Sequence, residues 1–419
     1  THENSSAASD VYKRQVFYAL MIIEFTYGVI IKKNTYRLND TFVSISIGLI
    51  SRFPVILNLG FNTLIFSLAA TTFNLKLLPL DSWVTWVVGF VLYDLTYYVQ
   101  HRLHHEIKLL WATHIVHHHG EEFNLSTALR QTSTGWLWKW MFYIPMIVIG
   151  VPAEVFITVG GLNLLYQFWV HTEHIPKLGF IEKIFVTPSN HRVHHAKNPE
   201  YIDANYGGVF ILWDRMFGTY IEEKENIKPV YGTVKALESW NPIWANIEVF
   251  YNMLLDSVRT KKWSDKIKVW YAPTYWRPDD VAKEYPSKPL NLQTKYNPKI
   301  STTSKIYVVV QMIGIMFISN ALFSQISTLS YQEIAVVSII LTLIPTLTGI
   351  YMQNNANALL AISIFSLTCI GLILWSNLFP VNNLITQAAL ILMLINLSFV
   401  SIHSINGSYV GPENIQQKV

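Results

Sequence analysis

The sequence is poor in the residues that mark a soluble, disulfide-stabilised or nucleic-acid-binding protein. It has one cysteine, Cys369, in 419 residues, which excludes a disulfide framework and a cysteine-ligated zinc or iron–sulfur site. Only 14% of the residues are charged and the formal net charge is +4, whereas charged residues make up roughly a quarter of a soluble domain. Since 51% of the residues are hydrophobic, the composition predicts an integral membrane protein, and nothing in it points to nucleic acid.

Lys and Arg are absent from residues 306–410, whereas fourteen of them lie in residues 221–305. The first of these regions holds four apolar runs, each about as long as the ~20 residues that a bilayer requires. They lie near 306–324, 333–351, 358–376 and 384–403. By the positive-inside rule, the basic region is predicted to face the cytoplasm, together with the histidines described below.

Further apolar segments precede the basic region and predict an all-α, polytopic membrane fold. They are Val16–Ile31, 43–73 with an interruption at Arg52 and Pro54, Ser82–Gln100, and a helical hairpin of Trp136–Gly150 and Ala153–Val170. We expect a spanning helix from Val55 onward. The chain is predicted to divide into residues 1–15 as a disordered or uncertain start, 16–222 as a membrane-embedded core with the histidine motifs, 223–305 as a basic cytoplasmic interfacial segment, and 306–419 as C-terminal membrane helices.

Histidine is concentrated in one region, because twelve of the fourteen histidines lie between His101 and His195. The pattern His-x-x-His-His occurs three times, at His101/His104/His105, His114/His117/His118 and His191/His194/His195. Positions i, i+3 and i+4 share one face of a helix, so each triplet is predicted to aim its imidazoles at one point. A site rich in imidazole suits Fe, Zn, Cu or Ni better than Mg or Ca. Eight or more imidazoles exceed what one ion can hold, which predicts two metals.

The spacing of the triplets constrains the chain between them. His114 lies nine positions after His105, about half a turn out of phase, so either the chain bends there or the two triplets face different metals. A helix start at Thr187–Asn190, with a capping hydroxyl and a first-turn proline, launches the third triplet. His171 and His174 follow the helical hairpin, and His171 is the better candidate for a further ligand because it lies at a helix end.

Two polar residues are predicted to support the metal ligands. Asp94 precedes His101 by nearly two helical turns on the same face, and we expect its carboxylate to accept the free N–H of a liganding imidazole. The alternative is a hydrogen bond between helices. Asn205, which follows the third triplet, is predicted to support the ligands in the same way.

A polar run, Glu121 to Gln131, follows the second triplet. It is either a solvated interfacial face or a site for a polar headgroup or cosubstrate. The second interpretation makes Glu122, Asn124, Arg130 and Gln131 the candidate cofactor-binding residues. No catalytic residue is assigned.

Two other functions fit a membrane histidine cluster. A membrane zinc hydrolase or isomerase would use a metal-bound water and would need neither O2 nor a reductant. A metal transporter or store would need ligands spread along a path through the bilayer, whereas these are expected to cluster at one level.

The order His101-x3-His105, His114-x2-His117-His118 and His191-x2-His194-His195 resembles the eight-histidine pattern of the fatty acid hydroxylase superfamily, membrane di-iron enzymes that include sterol desaturases and methyl oxidases. The resemblance covers about residues 85–222. The stretches WATHIVHHHGEEFNLSTALRQ, NLLYQFWVHTEH, TPSNHRVHH and NYGGVFILWDRMFGT are most similar to the alkylglycerol monooxygenase branch of this superfamily.

This resemblance implies an oxygen-activating centre of two Fe ions on the cytoplasmic face. The implied ligands are His101, His105, His114, His117, His118, His191, His194 and His195, with His171 as a ninth; His104, His119 and His174 stay unassigned. The branch uses tetrahydrobiopterin as reductant and hydroxylates the carbon beside the ether oxygen of an alkylglycerol lipid. The alternative within the superfamily is a sterol or fatty acyl lipid hydroxylase or desaturase that receives electrons from an electron-transfer protein.

Overall fold

The structure, a computed structural model, describes residues 2–57, 59, 62–355, 357–376, 383–405 and 416–418. Side chains are described for the same residues except 2–14, 62–63, 404–405 and 416–418. The described residues are mostly helical, which confirms the predicted all-α membrane class. The prediction of disorder for residues 1–15 falls on residues whose side chains, except that of Gln15, lie outside the described part. The first helix is assigned from His2 onward.

The helices follow one another along the chain, with short 3-10 or π-helical turns at Ala69–Phe73, Gly135–Leu137 and Gly179–Lys183. In chain order they are α1 (His2–Ile30), α2 (Leu38–Ile50), α3 (Phe53–Ile56), α4 (Asn62–Leu68), α5 (Trp83–Glu106), α6 (Lys108–His118), α7 (Leu125–Ala128), α8 (Lys139–Ile149), α9 (Ala153–Trp169), α10 (Pro188–His194), α11 (Leu212–Phe217), α12 (Pro242–Arg259), α13 (Trp263–Tyr271), α14 (Asp279–Glu284), α15 (Thr302–Ser324), α16 (Tyr331–Met352), α17 (Ala358–Trp375) and α18 (Leu384–Ile405). Two short strands, β1 (Thr294–Tyr296) and β2 (Gln416–Lys418), pair antiparallel.

The chain divides into two compact units. The first comprises residues 1–53, 238–245 and 293–419. It contains α15–α18, which are long and apolar enough to cross a membrane and which correspond to the four predicted C-terminal spans. Inside this unit the side chains of Tyr307 and Gln311 both donate hydrogen bonds to Asn396 Oδ1, at 3.0 and 2.8 Å. A polar group buried in an apolar bundle requires such a partner.

The second unit comprises residues 54–237 and 246–292. Its apolar core forms where α5 packs against α8 and α9, around the buried Tyr93, Tyr143 and Val155. Gly89 allows this approach, because a Cβ there would lie 2.7 Å from Val155 Cγ1. The predicted hairpin of α8 and α9 is present and turns at Gly150, whose φ of +103° favours glycine.

One membrane helix was predicted wrongly. The expected spanning helix from Val55 is interrupted, since α3 ends at Ile56 and α4 begins at Asn62. The sequence between them contains Asn and Gly, which have low helix propensity.

Candidate metal centre

The site is built from the ends of four helical segments in the second unit. α5 continues through His101 and His105, and the predicted bend before the second triplet lies at Ile107, whose extended backbone (φ −106°, ψ 122°) separates α5 from α6. α10 starts as predicted, with a capping box at Thr187 and Pro188 in its first turn. These breaks allow short helices to point their histidines inward from different directions.

The structure brings all nine histidines predicted as ligands into two groups. Within each group, one nitrogen of every imidazole lies within 4.8 Å of those of the others. The five-histidine group is His101, His105, His114, His118 and His194, and the four-histidine group is His117, His171, His191 and His195. Eight of the nine side chains are buried and that of His114 is partly buried. The unassigned His104, His119 and His174 lie outside both groups.

The expectation that each triplet converges on one point was wrong. His101 and His105 stay together, and so do His114 and His118, while His117 joins the other group. In the third triplet His194 separates from its neighbours. Residues i and i+3 lie about 60° apart around a helix axis, on the opposite side from i+4, so a helix wedged between two centres divides its histidines between them.

Backbone carbonyls orient four of these imidazoles. Since a carbonyl oxygen only accepts, each Nδ1–H donates and Nε2 is left with a lone pair for a metal. The bonds run from His101 to Tyr206 O (2.8 Å), from His117 to Arg130 O (3.0 Å), from His171 to Gln167 O (2.8 Å) and from His194 to Ala204 O (2.9 Å).

The Nε2 atoms are spaced as ligands of a common ion would be. Two nitrogens bound at ~2.1 Å and at a right angle lie roughly 3.0 Å apart, against about 3.4 Å in a tetrahedron. In the five-histidine group, His114 Nε2 lies 2.9 Å from His101 Nε2 and 3.1 Å from His118 Nε2. In the four-histidine group, His191 Nε2 lies 2.9 Å from His171 Nε2 and 3.1 Å from His195 Nε2, and His171 Nε2 lies 3.2 Å from His117 Nε2. The donor atoms therefore fit a metal in each group.

Two further observations support a metal fit. The buried Nε2 atoms of His105 and His194 have no hydrogen-bond partner among the described residues, and such atoms are costly unless something binds them. Burial also lowers the pKa of His194 to about 3 and that of His117 to about 4. Both imidazoles are therefore neutral at physiological pH, which is the form that binds metal.

Asp94 contacts no imidazole among the described side chains, which corrects the expectation from the sequence. Its buried carboxylate accepts hydrogen bonds from the backbone N–H groups of Val209 and Phe210, from Trp213 Nε1 and from Asn163 Nδ2, at 2.8 to 3.0 Å. It therefore anchors the loop that follows Tyr206, whose carbonyl orients His101. Asp94 acts on the ligand through this loop, because the α5 face that it shares with His101 packs against the loop.

The carboxylate near a ligand is instead Asp203, which the sequence analysis passed over. Its Oδ1 lies 3.6 Å from His105 Nδ1, and its side chain is half exposed. A carboxylate beside the outer nitrogen of a metal-binding histidine orients the ring and increases its basicity. The only sequence signal is position, since Asp203 lies eight residues beyond the third triplet.

Asn205 also has a different role from the expected one. It lies in left-handed backbone (φ +58°), and its Nδ2 donates to Asn190 O and Ile221 O at 3.0 and 2.8 Å. Its Oδ1 accepts from Ile221 N. It therefore ties α10 to a later segment and does not contact a ligand among the described residues.

The predicted cofactor residues divide between structural and exposed positions. Asn124 caps α7, and its Oδ1 accepts from Ser126 N at 3.0 Å. Arg130 is 1% exposed and donates from Nε to Val116 O. Glu122 is partly buried and Gln131 is exposed. Asn124 and Arg130 thus shape the wall of the site, and the other two have surface open to a ligand.

Aromatic rings cover one side of the four-histidine group. Phe123 stacks on Tyr231 with ring centres 4.8 Å apart. Its ring centre lies 5.2 Å from that of His195 and 5.6 Å from that of His171. This pair excludes water from that side of the group.

The family model described as fatty acid hydroxylase matches residues 86–219, which contain all nine histidines. The human alkylglycerol monooxygenase is 33% identical over 93% of this chain and 87% of its own length. The zebrafish enzyme of the same name is 34% identical over 82% and 77%, and that of Xenopus tropicalis 39% identical over 62% and 58%. No solved structure matches the chain.

The chain therefore belongs to the fatty acid hydroxylase family, and it is an integral membrane oxidoreductase of the lipid hydroxylase class. Within that family, the human and zebrafish relatives that match most of its length are alkylglycerol monooxygenases.

Proposed function

We propose that this protein is an O2-dependent di-iron lipid monooxygenase that hydroxylates the carbon beside the ether oxygen of an alkylglycerol-type lipid. The observation that carries the proposal is the pair of converging histidine groups in a membrane chain, whose full-length relatives bear the name of that activity. We further propose that the nine histidines are the metal ligands and that the centre faces the cytoplasm, where the basic region is predicted to lie.

Two iron ions, when bound, supply the redox chemistry that inserts one atom of O2 into an unactivated C–H bond. Burial keeps these imidazoles neutral, and backbone carbonyls such as those of Tyr206 and Arg130 orient them. Phe123 and Tyr231 keep water from one side, which protects a reactive centre.

In the overall reaction one oxygen atom enters the C–H bond, and the other leaves as water with two electrons and two protons from the reductant. We propose tetrahydrobiopterin as this reductant, beside the run of Glu122 and Gln131. The hydroxylated ether is a hemiacetal, which breaks its carbon–oxygen bond to give a fatty aldehyde and a glycerol.

The ligand count argues against a membrane zinc hydrolase. Catalytic zinc sites have three protein ligands in tetrahedral geometry, whereas these groups contain five and four histidines. The separations of about 3 Å between Nε2 atoms also fit right angles better than tetrahedral ones. The remaining alternative is a sterol or fatty acyl lipid hydroxylase or desaturase of the same superfamily, served by an electron-transfer protein.

The test is an assay of iron-loaded protein in membranes with an alkylglycerol, O2 and tetrahydrobiopterin. We expect fatty aldehyde, and none from the His191→Ala variant or without O2. Turnover of a sterol or acyl lipid with no aldehyde from alkylglycerol would overturn the ether-lipid assignment. Equal activity in the absence of O2 would overturn the monooxygenase itself.

A further inference from the structure

Two consecutive helices, α12 from Asn246 onward and α13, belong to the second unit and leave an apolar stripe exposed. The stripe is Tyr251, Leu254 and Val258 on α12 and Trp263, Ile267 and Tyr271 on α13. The spacings of three and four residues place each set on one helix face. The exposed fraction reaches 68% at Val258 and 80% at Trp263.

The opposite faces of the same helices are packed against the protein. Met253 on α12 and Val269 on α13 form a buried cluster with Ala112 of α6. Lys108, at the start of α6, donates a hydrogen bond to Trp276 O just beyond α13. These contacts attach α12 and α13 to α6, so the exposed stripe belongs to the surface of the folded unit.

Basic residues outnumber acidic ones around the stripe. Arg259 ends α12, Lys261 and Lys262 follow it, and all three are exposed. The acidic residues of α12 are turned inward and already paired: Asp256 with Arg277 at 2.8 Å and Glu248 with Lys235 at 2.7 Å. Asp280, which accepts a hydrogen bond from Lys261 N at 2.8 Å, and Asp265 on α13 offset part of the positive charge. The surface thus combines Trp, Tyr and aliphatic side chains with an excess of cations.

We infer that the faces of α12 and α13 that carry this stripe lie in the interface of an anionic membrane leaflet. An amphipathic helix with aromatic and aliphatic residues on one side and Lys or Arg beside them inserts its apolar face at the headgroup level. Trp and Tyr favour that level, and a leaflet rich in anionic lipid attracts basic residues next to it.

A consequence concerns the histidine centre, since α6 carries His114, His117 and His118. α12 and α13 pack on α6 from the side of Ala112. Docking of the stripe therefore holds the metal-binding helix about one helix diameter, ~10 Å, from the lipid headgroups. Lipid binding by the stripe does not depend on which lipid the centre oxidises.

The test uses the full chain in a Cys369→Ser background, reconstituted into vesicles of phosphatidylcholine with or without phosphatidylglycerol. A nitroxide is attached at Val258→Cys or Ile267→Cys, and at Glu225→Cys, an exposed polar position, as the control. In anionic vesicles we expect the stripe labels to collide several-fold more often with O2, and several-fold less often with an aqueous nickel chelate, than the control label does.

The contribution of charge is tested with the double variant Lys261→Glu, Lys262→Glu, which should make the stripe labels more accessible to the aqueous nickel chelate. A matched double variant, Lys224→Glu, Lys228→Glu, changes net charge equally at two exposed lysines of another segment and should leave the stripe labels unchanged. Stripe labels as accessible to nickel as the control in both lipids would overturn the inference. So would labels that are protected in detergent and broadened by spin–spin contact with a second copy, because the stripe would then be a protein interface.

Discussion

The two histidine groups use the same ligand but differ in number and in surroundings. The five-histidine group lies against the loop of residues 203–206, which supplies two carbonyls and the Asp203 carboxylate. The four-histidine group lies against Phe123 and the carbonyl of Arg130. An ion with fewer protein ligands keeps more positions for an exogenous one. We therefore expect the four-histidine group to be the more open and the five-histidine group to be the more tightly held.

Removal of a ligand from either group should have the largest effect. We expect His105→Ala and His195→Ala each to lower activity by more than about 100-fold, beyond the roughly 10- to 100-fold typical of a residue that only supports a ligand. Iron should fall from about two ions to about one per chain, measured by metal analysis after reconstitution.

The matched control for this experiment is His104→Ala. His104 is buried, belongs to the first triplet and lies on the same helix, but its Nδ1 bonds to Gln100 O and it lies outside both groups. It should keep both ions. Full iron content in the His105→Ala variant would contradict the assignment of that group.

Asp94→Ala should reduce stability more than it changes metal selectivity. The substitution leaves buried donors of Trp213, Asn163 and the loop unpaired, and each costs about 1–3 kcal/mol. We expect the free energy of unfolding in detergent to fall by about 3 kcal/mol or more. Folded variant protein should still bind metal in both groups, and normal stability with selective loss of one ion would show instead that Asp94 contacts a ligand directly.

Asp203→Asn should distinguish the two groups without unfolding the protein. Because Asp203 is half exposed and 3.6 Å from His105 Nδ1, we expect a loss of metal affinity near the lower limit for a supporting carboxylate, about 10-fold. Chelator-driven release should show one faster phase for the five-histidine group and an unchanged phase for the other. Two equally accelerated phases would remove the distinction between the groups.

Gln131→Ala should have the smallest effect and tests where the reductant binds. Gln131 is exposed, and its run contains Phe123, which contacts the four-histidine group. Loss of one hydrogen bond, about 1 kcal/mol, would raise the KM for tetrahydrobiopterin roughly fivefold without changing iron content. An unchanged KM in steady-state kinetics would move the reductant away from this run.

The supporting residues were harder to predict than the histidines. Helical periodicity places Asp94 below His101 and so predicts a contact with that imidazole. In the structure its carboxylate accepts hydrogen bonds from the backbone N–H groups of Val209 and Phe210 instead. Asp203 was missed because no local pattern links it to His105, which lies about a hundred residues earlier in the sequence. Contacts between residues so far apart in the sequence depend on the tertiary packing of the helices and loops.

The sequence by itself determined the membrane class and the four C-terminal spans, because composition and hydrophobic length are local properties, and its resemblance to a known family selected the nine histidines that come together. Only the tertiary structure decided how the histidines divide. Within one triplet, His114 and His118 belong to one group and His117 to the other. That division depends on how α5, α9 and α10 are placed around α6. The spacing of residues within one helix does not determine which neighbouring helix will face each of its sides.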